Sequence, residues 1–243
     1  LTPKFEDIKV LHSQLAAVLV RGQWQVIDMK ERVVLAPGYE SVRVLNDQHV
    51  AFQQNLKWGL VDFSGRLIAE AIYEDISLLE AHGQLFFQIL REDYLGLLSS
   101  SGKEILPPEY EEIRIESPEL IFFKKDNKWG LANALSPRFG GYEFISPEFI
   151  RFYVEGKSFL YSIQTKKLLT KGDYDNYYPF STELAIAKKN RLLGLIDQNG
   201  NWVLRPRYNE IQPFNGSLYR VKIQDRWGLV SFGDTMALPF EYK

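Results

Sequence analysis

The sequence predicts an all-β protein: a β-propeller of about seven compact four-stranded blades, one of them split between the two termini. An open β-solenoid of hairpin repeats is the alternative. Three observations carry this prediction. A Trp-Gly or Leu-Gly pair recurs along the whole chain at a nearly constant interval. The apolar runs between the copies are short, rich in Leu, Ile, Val, Phe and Tyr, and punctuated by Gly, Pro, Asn and Ser, which is the pattern of strands joined by turns. The two ends carry complementary parts of one repeat.

The repeat comes first because it organises everything else. Trp58-Gly59, Trp129-Gly130 and Trp227-Gly228 each follow a basic residue and precede Leu, while Leu95-Gly96 and Leu193-Gly194 keep the glycine without the tryptophan. The spacing is roughly 34 to 37 residues, with one gap of about twice that length. Leu160-Tyr161 fills the gap, and Trp24-Gln25 lies one period upstream of Trp58, giving seven copies. Inside a copy, a first strand such as Trp58 to Asp62 leads to a turn, a second strand at Arg66-Leu67-Ile68, a third after Tyr73, and a fourth at Leu85-Phe86-Phe87.

The turn after the first strand has a mechanism. Asp62-Phe-Ser-Gly65 and Asp197-Gln-Asn-Gly200 place Asp first and Gly fourth, as a type I turn closed by a left-handed glycine requires. The Pro-x-Tyr element (Pro108-Glu-Tyr110, Pro206-Arg-Tyr208) is assigned to the connection into the third strand, because proline has no N–H for a ladder. Ile8, Leu11, Leu15, Val18 and Leu19 also fit one face of a helix, but their register in the repeat matches Ile113 and Leu120 to Phe123, so strands are expected there. The chain begins at Pro3-Lys-Phe5 with strands three and four and ends after Trp227 with strands one and two. Such ends complete one blade and remove an exposed edge.

Composition narrows the function. The 243 residues are 45% hydrophobic and 25% charged, with a formal net charge of −2. That supports a packed core in a single domain, residues 1–243, and gives no footing for general nucleic-acid binding. There is no cysteine, which removes disulfides, thiol nucleophiles and thiolate metal sites. No apolar run is long enough for a membrane helix. The histidines His12, His49 and His82 have no metal-ligand spacing and are expected to be ordinary exposed side chains in or near one class of loop. Neither a nucleophile elbow nor a phosphate-cradling glycine loop is present, so no enzyme and no cofactor are expected.

The pattern Lys57-Trp-Gly-Leu-Val-Asp62, then Gly65, then Pro-x-Tyr-x-x-Ile as in Pro108 to Ile113, resembles the WG-repeat (KWG) proteins of bacteria over essentially the whole chain. The resemblance implies β-rich interaction or scaffold material and a bacterial setting; the absence of cysteine favours the cell envelope or periplasm over the cytoplasm. The fourth and fifth copies depart from it, with Ala134 to Arg138 in place of the Asp-x-x-Gly turn and Phe159-Leu-Tyr161 in place of Trp-Gly, and irregular units are expected there.

Function is expected from loops. Lys124, Lys125 and Lys128, then Lys188, Lys189 and Arg191, fall in loops between units, and Arg205 and Arg207 in a loop between strands two and three. In a meander these loops share one face, giving a basic patch over units three to six that suits an acidic protein surface or a polyanion, with a protein partner expected and a place in a larger complex. The expected function is a non-catalytic protein–protein interaction or scaffold module. The alternative is a carbohydrate- or cell-envelope-binding module using exposed rings such as Tyr177 and Tyr178.

Overall fold

The computed structural model describes residues 4–12, 15–170 and 174–243. It is all-β, with seven four-stranded antiparallel sheets, each an up-and-down meander of the propeller-blade kind. The first sheet holds β1 (Asp7–His12), β2 (Leu15–Val20), β3 (Gln23–Asp28) and β4 (Val33–Tyr39). The second holds β5 (Ser41–Val44), β6 (His49–Gln54), β7 (Lys57–Asp62) and β8 (Leu67–Tyr73). The third holds β9 (Asp75–Ala81), β10 (Gln84–Arg91), β11 (Tyr94–Ser99) and β12 (Glu104–Tyr110). The fourth holds β13 (Glu112–Ser117), β14 (Leu120–Lys125), β15 (Lys128–Leu131) and β16 (Leu135–Phe139). The fifth holds β17 (Gly141–Ser146), β18 (Phe149–Val154), β19 (Lys157–Ser162) and the short β20 (Lys167–Leu168). The sixth holds β21 (Asn176–Pro179), β22 (Leu184–Lys189), β23 (Leu192–Asp197) and β24 (Trp202–Tyr208). The seventh holds β25 (Glu210–Asn215), β26 (Leu218–Ile223), β27 (Arg226–Ser231) and β28 (Thr235–Tyr242).

This partition corrects the split blade. Every sheet is built from one continuous stretch, and the Trp-Gly strand is its third strand rather than its first. The chain leaves a sheet after the Pro-x-Tyr tyrosine, as after Tyr110 at the end of β12 and Tyr208 at the end of β24. The helix-like spacing from Ile8 to Leu19 is two strands, as the repeat register requires.

The Pro-x-Tyr element also moves. Pro108 and Pro206 lie inside the outermost strands β12 and β24. Leu95 pairs with Tyr110 and Leu97 with Leu106, so two steps on β11 face four on β12. The same mismatch recurs between Leu193–Tyr208 and Leu195–Leu204. An outer strand with a bulge tolerates proline, because the missing N–H is not needed by a neighbour. The glycine of the Trp-Gly pair sits opposite the bulge. A Cβ on Gly194 would stand 2.6 Å from the Leu204 carbonyl oxygen and 2.7 Å from the Pro206 nitrogen. Close backbone approach, rather than an unusual φ, therefore explains this glycine.

The Asp-x-x-Gly turns form as expected. Asp62 O accepts from Gly65 N at 2.9 Å, and Gly65 has φ +83°. The Asp62 carboxylate accepts from Ser64 N and Arg66 N and pairs with Arg66 Nε at 3.0 Å. In the fifth sheet the turn is irregular, as its sequence foretells: Thr170 Oγ1 accepts from Leu160 N at 3.0 Å where a strand would otherwise continue the ladder.

The chain divides into two compact units, Leu1–Asp126 and Asn127–Lys243, the division falling in the turn after β14. In the first, β1–β4 stack on β5–β8 through Leu15, Trp24, Val26, Leu35, Val42, Val50 and Phe52. The next layer adds Leu60, Tyr73, Ile76, Phe87 and Ile89. In the second, Phe149, Leu160, Tyr177 and Ala185 join the fifth and sixth sheets, and Leu204, Tyr208, Ile211 and Val221 join the sixth and seventh. A sheet apolar on both faces can bury them only between neighbours, so stacking is the source of stability.

Candidate interaction face

The turn between the second and third strand of a sheet is a tight hairpin with left-handed residues, such as Asn190 (φ 50°) and Arg191 (φ 70°). A polar side chain just before the first strand clamps it. Glu6 accepts from Arg21 N and Gly22 N, Glu40 from Asn55 N and Leu56 N, Asp175 from Asn190 N at 2.8 Å, and Asn209 from Gln224 N at 2.7 Å. The residue following the repeat aromatic at Tyr39, Tyr174 and Tyr208 thus fixes the turn that carries the candidate cations.

In the sixth sheet, Lys188 and Lys189 close β22 and Arg191 completes the turn. Lys189 Nζ lies 5.2 Å from the Tyr174 ring centroid, a cation–π distance. Lys188 pairs with Leu193, and Leu193 with Tyr208, so the end of β24 lies at the same end of the sheet as this turn. Arg205 and Arg207 are not in a loop, however. They belong to β24, because the bulged outer strand extends through Pro206. Arg205 lies toward the middle of the sheet, next to Leu204, which pairs with Leu195.

Arg207 is also drawn into a local network. Its Nε donates to the Tyr208 hydroxyl at 3.0 Å, and Tyr208 donates to Asp234 Oδ1 at 2.8 Å. Asp234 Oδ2 accepts from Arg205 N at 3.1 Å. Burial pushes the Tyr208 phenol up to about 12, with Asp234 adding to the effect and Arg207 opposing it. This latch ties the sixth sheet to the seventh. It was missed in the sequence because Ser231-Phe-Gly-Asp234 reads as a degenerate turn; the carboxylate has moved from the first place to the fourth.

The earlier cations are arranged differently. Lys124 and Lys125 close β14 in the first unit, and Lys128 opens β15 in the second. Lys125 pairs with Glu109 at 2.6 Å, and that hydrogen bond lifts its ammonium above the usual lysine value. Of the eight candidate cations, then, Lys125 and Arg207 are paired with carboxylates, while Lys188, Lys189 and Arg191 share one turn.

The histidines depart from expectation at one position. His49 is 6% exposed, its Nδ1 2.9 Å from Asn46 Oδ1 and its ring edge-on to Phe87 at 4.9 Å. Burial depresses its pKa, against the opposing field of Asp62 and Asp47. It is the first residue of β6, next to the loop as expected, but its ring is turned into the core. His82 is exposed at the turn after β9, and the His12 side chain lies outside the described residues. Among the described residues no cluster of three or more His, Cys, Asp or Glu could hold a metal ion. Among the described residues no helix is long and apolar enough to cross a membrane. Tyr177 is fully buried between the fifth and sixth sheets, which removes one of the two rings that a sugar-stacking face was expected to use.

No curated protein matches the chain. Solved structures similar to it include PorZ, a bacterial surface component of the type-IX secretion system of Porphyromonas gingivalis, at 10% identity and a TM-score of 0.31. That match covers 99% of this chain and 39% of PorZ, so the chain spans about two fifths of that relative's length. Hsv2 of Kluyveromyces lactis matches at 8% identity and a TM-score of 0.28, covering 93% of this chain and 89% of that one. The C-terminal WD40 domain of Sif2 matches at 10% identity and a TM-score of 0.27, covering 93% and 81%. The family model for the WG containing repeat matches residues 96–129 and 194–227, each running from a repeat glycine to the Trp of the following Trp-Gly pair. With the same strand, turn and bulge grammar in the sheets that hold those segments, the chain carries WG-containing repeats there.

Proposed function

We propose that the protein is a non-catalytic interaction module, residues 1–243 acting as one WG-repeat scaffold that presents turns to a protein partner. The observation that carries this reading is the turn of Lys188, Lys189 and Arg191. Asp175 clamps its backbone, so three cations are offered from a fixed position at little further cost in ordering. A cationic turn on a rigid sheet suits an acidic protein surface, which it would recruit with strong salt dependence. The repeat itself supports the reading: its recurrent aromatics and glycines are consumed by packing, leaving turn residues free to vary.

The test is affinity capture with the intact chain and with Lys188→Glu/Lys189→Glu/Arg191→Glu. These side chains lie at a turn, so the melting temperature should stay within a few degrees of wild type. A defined set of bound proteins should disappear with the triple reversal and with rising salt. An identical bound set from both proteins would refute the assignment of this turn as the working face.

A further inference from the structure

At the end of the second unit opposite the Lys188 turn, the turns β21–β22, β23–β24 and β25–β26 surround an open cleft of 660 Å³. Phe180, Phe214, Tyr219 and Phe232 supply its apolar lining, and Glu183 and Asp197 its charge. Phe180 and Tyr219 are in ring contact at 6.1 Å, while Phe214 is 57% and Phe232 62% exposed. Large aromatic side chains clustered at one end of the sheets with this exposure are costly to leave in water unless something covers them.

The charge of the cleft is set by one departure from the repeat. In the first two sheets the turn aspartate is neutralised by an arginine four residues on: Asp28 by Arg32 at 2.6 Å and Asp62 by Arg66 at 3.0 Å. In the sixth sheet the same place holds Asn201, and Asp197 accepts instead from Asn199 N, Asn201 N and Asn201 Nδ2, all uncharged donors. The corresponding opening between the first two sheets, of 480 Å³, is lined by Lys30 and Arg32 as well as Asp28. The residues lining the cleft of the second unit include two carboxylates and no Lys, Arg or His.

We infer that this cleft binds an extended peptide segment that inserts an aromatic or aliphatic side chain between Phe214 and Phe232 and sets a Lys or Arg against Asp197 and Glu183. The inference rests on the interaction reading above but names a different face and a partner of opposite charge. Exposed aromatic anchors beside uncompensated carboxylates match that chemistry on both counts. An acidic segment would meet repulsion, and a purely apolar one would leave the carboxylates desolvated without a partner.

The test uses a display library of random peptides panned against the intact chain. Enriched peptides should combine Lys or Arg with an aromatic or aliphatic residue. Asn201→Arg restores the side chain that sheets one and two use at this place, so it should keep the fold and weaken those peptides about tenfold by neutralising Asp197. Phe214→Ala/Phe232→Ala, one near the end of β25 and one in the connection after β27 and both exposed, should weaken them by about the same factor without lowering the melting temperature. Four results would each overturn the inference: no enrichment, enriched peptides without a cation, equal binding to both variants, or neutral oligosaccharides binding the cleft in their stead. Capture through the Lys188 turn is scored separately and can succeed or fail independently.

Discussion

The glycine of the Trp-Gly pair offers the sharpest check on the architecture. In Gly194→Ala the new Cβ would sit 2.6 Å from Leu204 O and 2.7 Å from Pro206 N, about 0.8 Å inside ordinary van der Waals contact. Both obstructing atoms are backbone, held by the Leu195–Leu204 and Leu193–Tyr208 pairings, so no side chain can swing aside. Relief requires the bulge of β24 to move outward, which would unseat Leu204 and Tyr208 from the layer between the sixth and seventh sheets. Overpacking of this kind costs about 1–3 kcal/mol. At a urea m-value of about 2 kcal/mol per M, the midpoint should fall by roughly 1 M. Gly140→Ala is the control, because its Cβ would meet only Tyr153 O at an ordinary 3.5 Å. Equilibrium urea unfolding followed by tryptophan fluorescence measures both. Equal midpoints for the two variants would refute the claim that backbone approach, rather than turn chemistry, demands the repeat glycine.

Three further outcomes are expected. Tyr208→Phe should cost about 1–3 kcal/mol, since Asp234 loses a buried donor. In the wild type, with the phenol pushed up to about 12, the fold holds a proton that the unfolded chain releases near pH 10, so stability should fall as pH rises between those values, and less so in the variant. His49 is held neutral by burial, so the unfolded chain takes up a proton before the folded one does; unfolding midpoints should drop as pH falls below about 6.5, and His49→Phe should flatten that slope. Arg151 reaches from β18 to Asn176 Oδ1 at 2.6 Å and Tyr177 O at 2.9 Å, so Arg151→Lys, which lacks the planar fork, should lower the thermal midpoint measurably.

What could be read in advance follows from what repeats. A period shared by seven copies determined strand content, sheet size, the Asp-x-x-Gly turns and the placing of Ile8 to Leu19 in strands, because each of these is a local choice made many times over. The sheet boundaries were not local. Whether Trp58 begins a sheet or is its third strand depends on which hairpins stack, and hydrogen-bond pairing across strands decided it. The same holds for single departures from the pattern. Asn201 in place of an arginine, Asp234 at the wrong end of its turn and His49 at the start of its strand are each unremarkable in the chain. Burial of His49 against Phe87 and the Tyr208–Asp234 hydrogen bond arise only when neighbouring sheets bring distant residues together, as does the cleft in which the carboxylate of Asp197 stands beside exposed aromatic rings. The repeat spells out each sheet from local propensity and turn chemistry, including whether an arginine follows the turn aspartate; the stacking of one sheet on the next sets which side chains are buried, and so which remain for a partner.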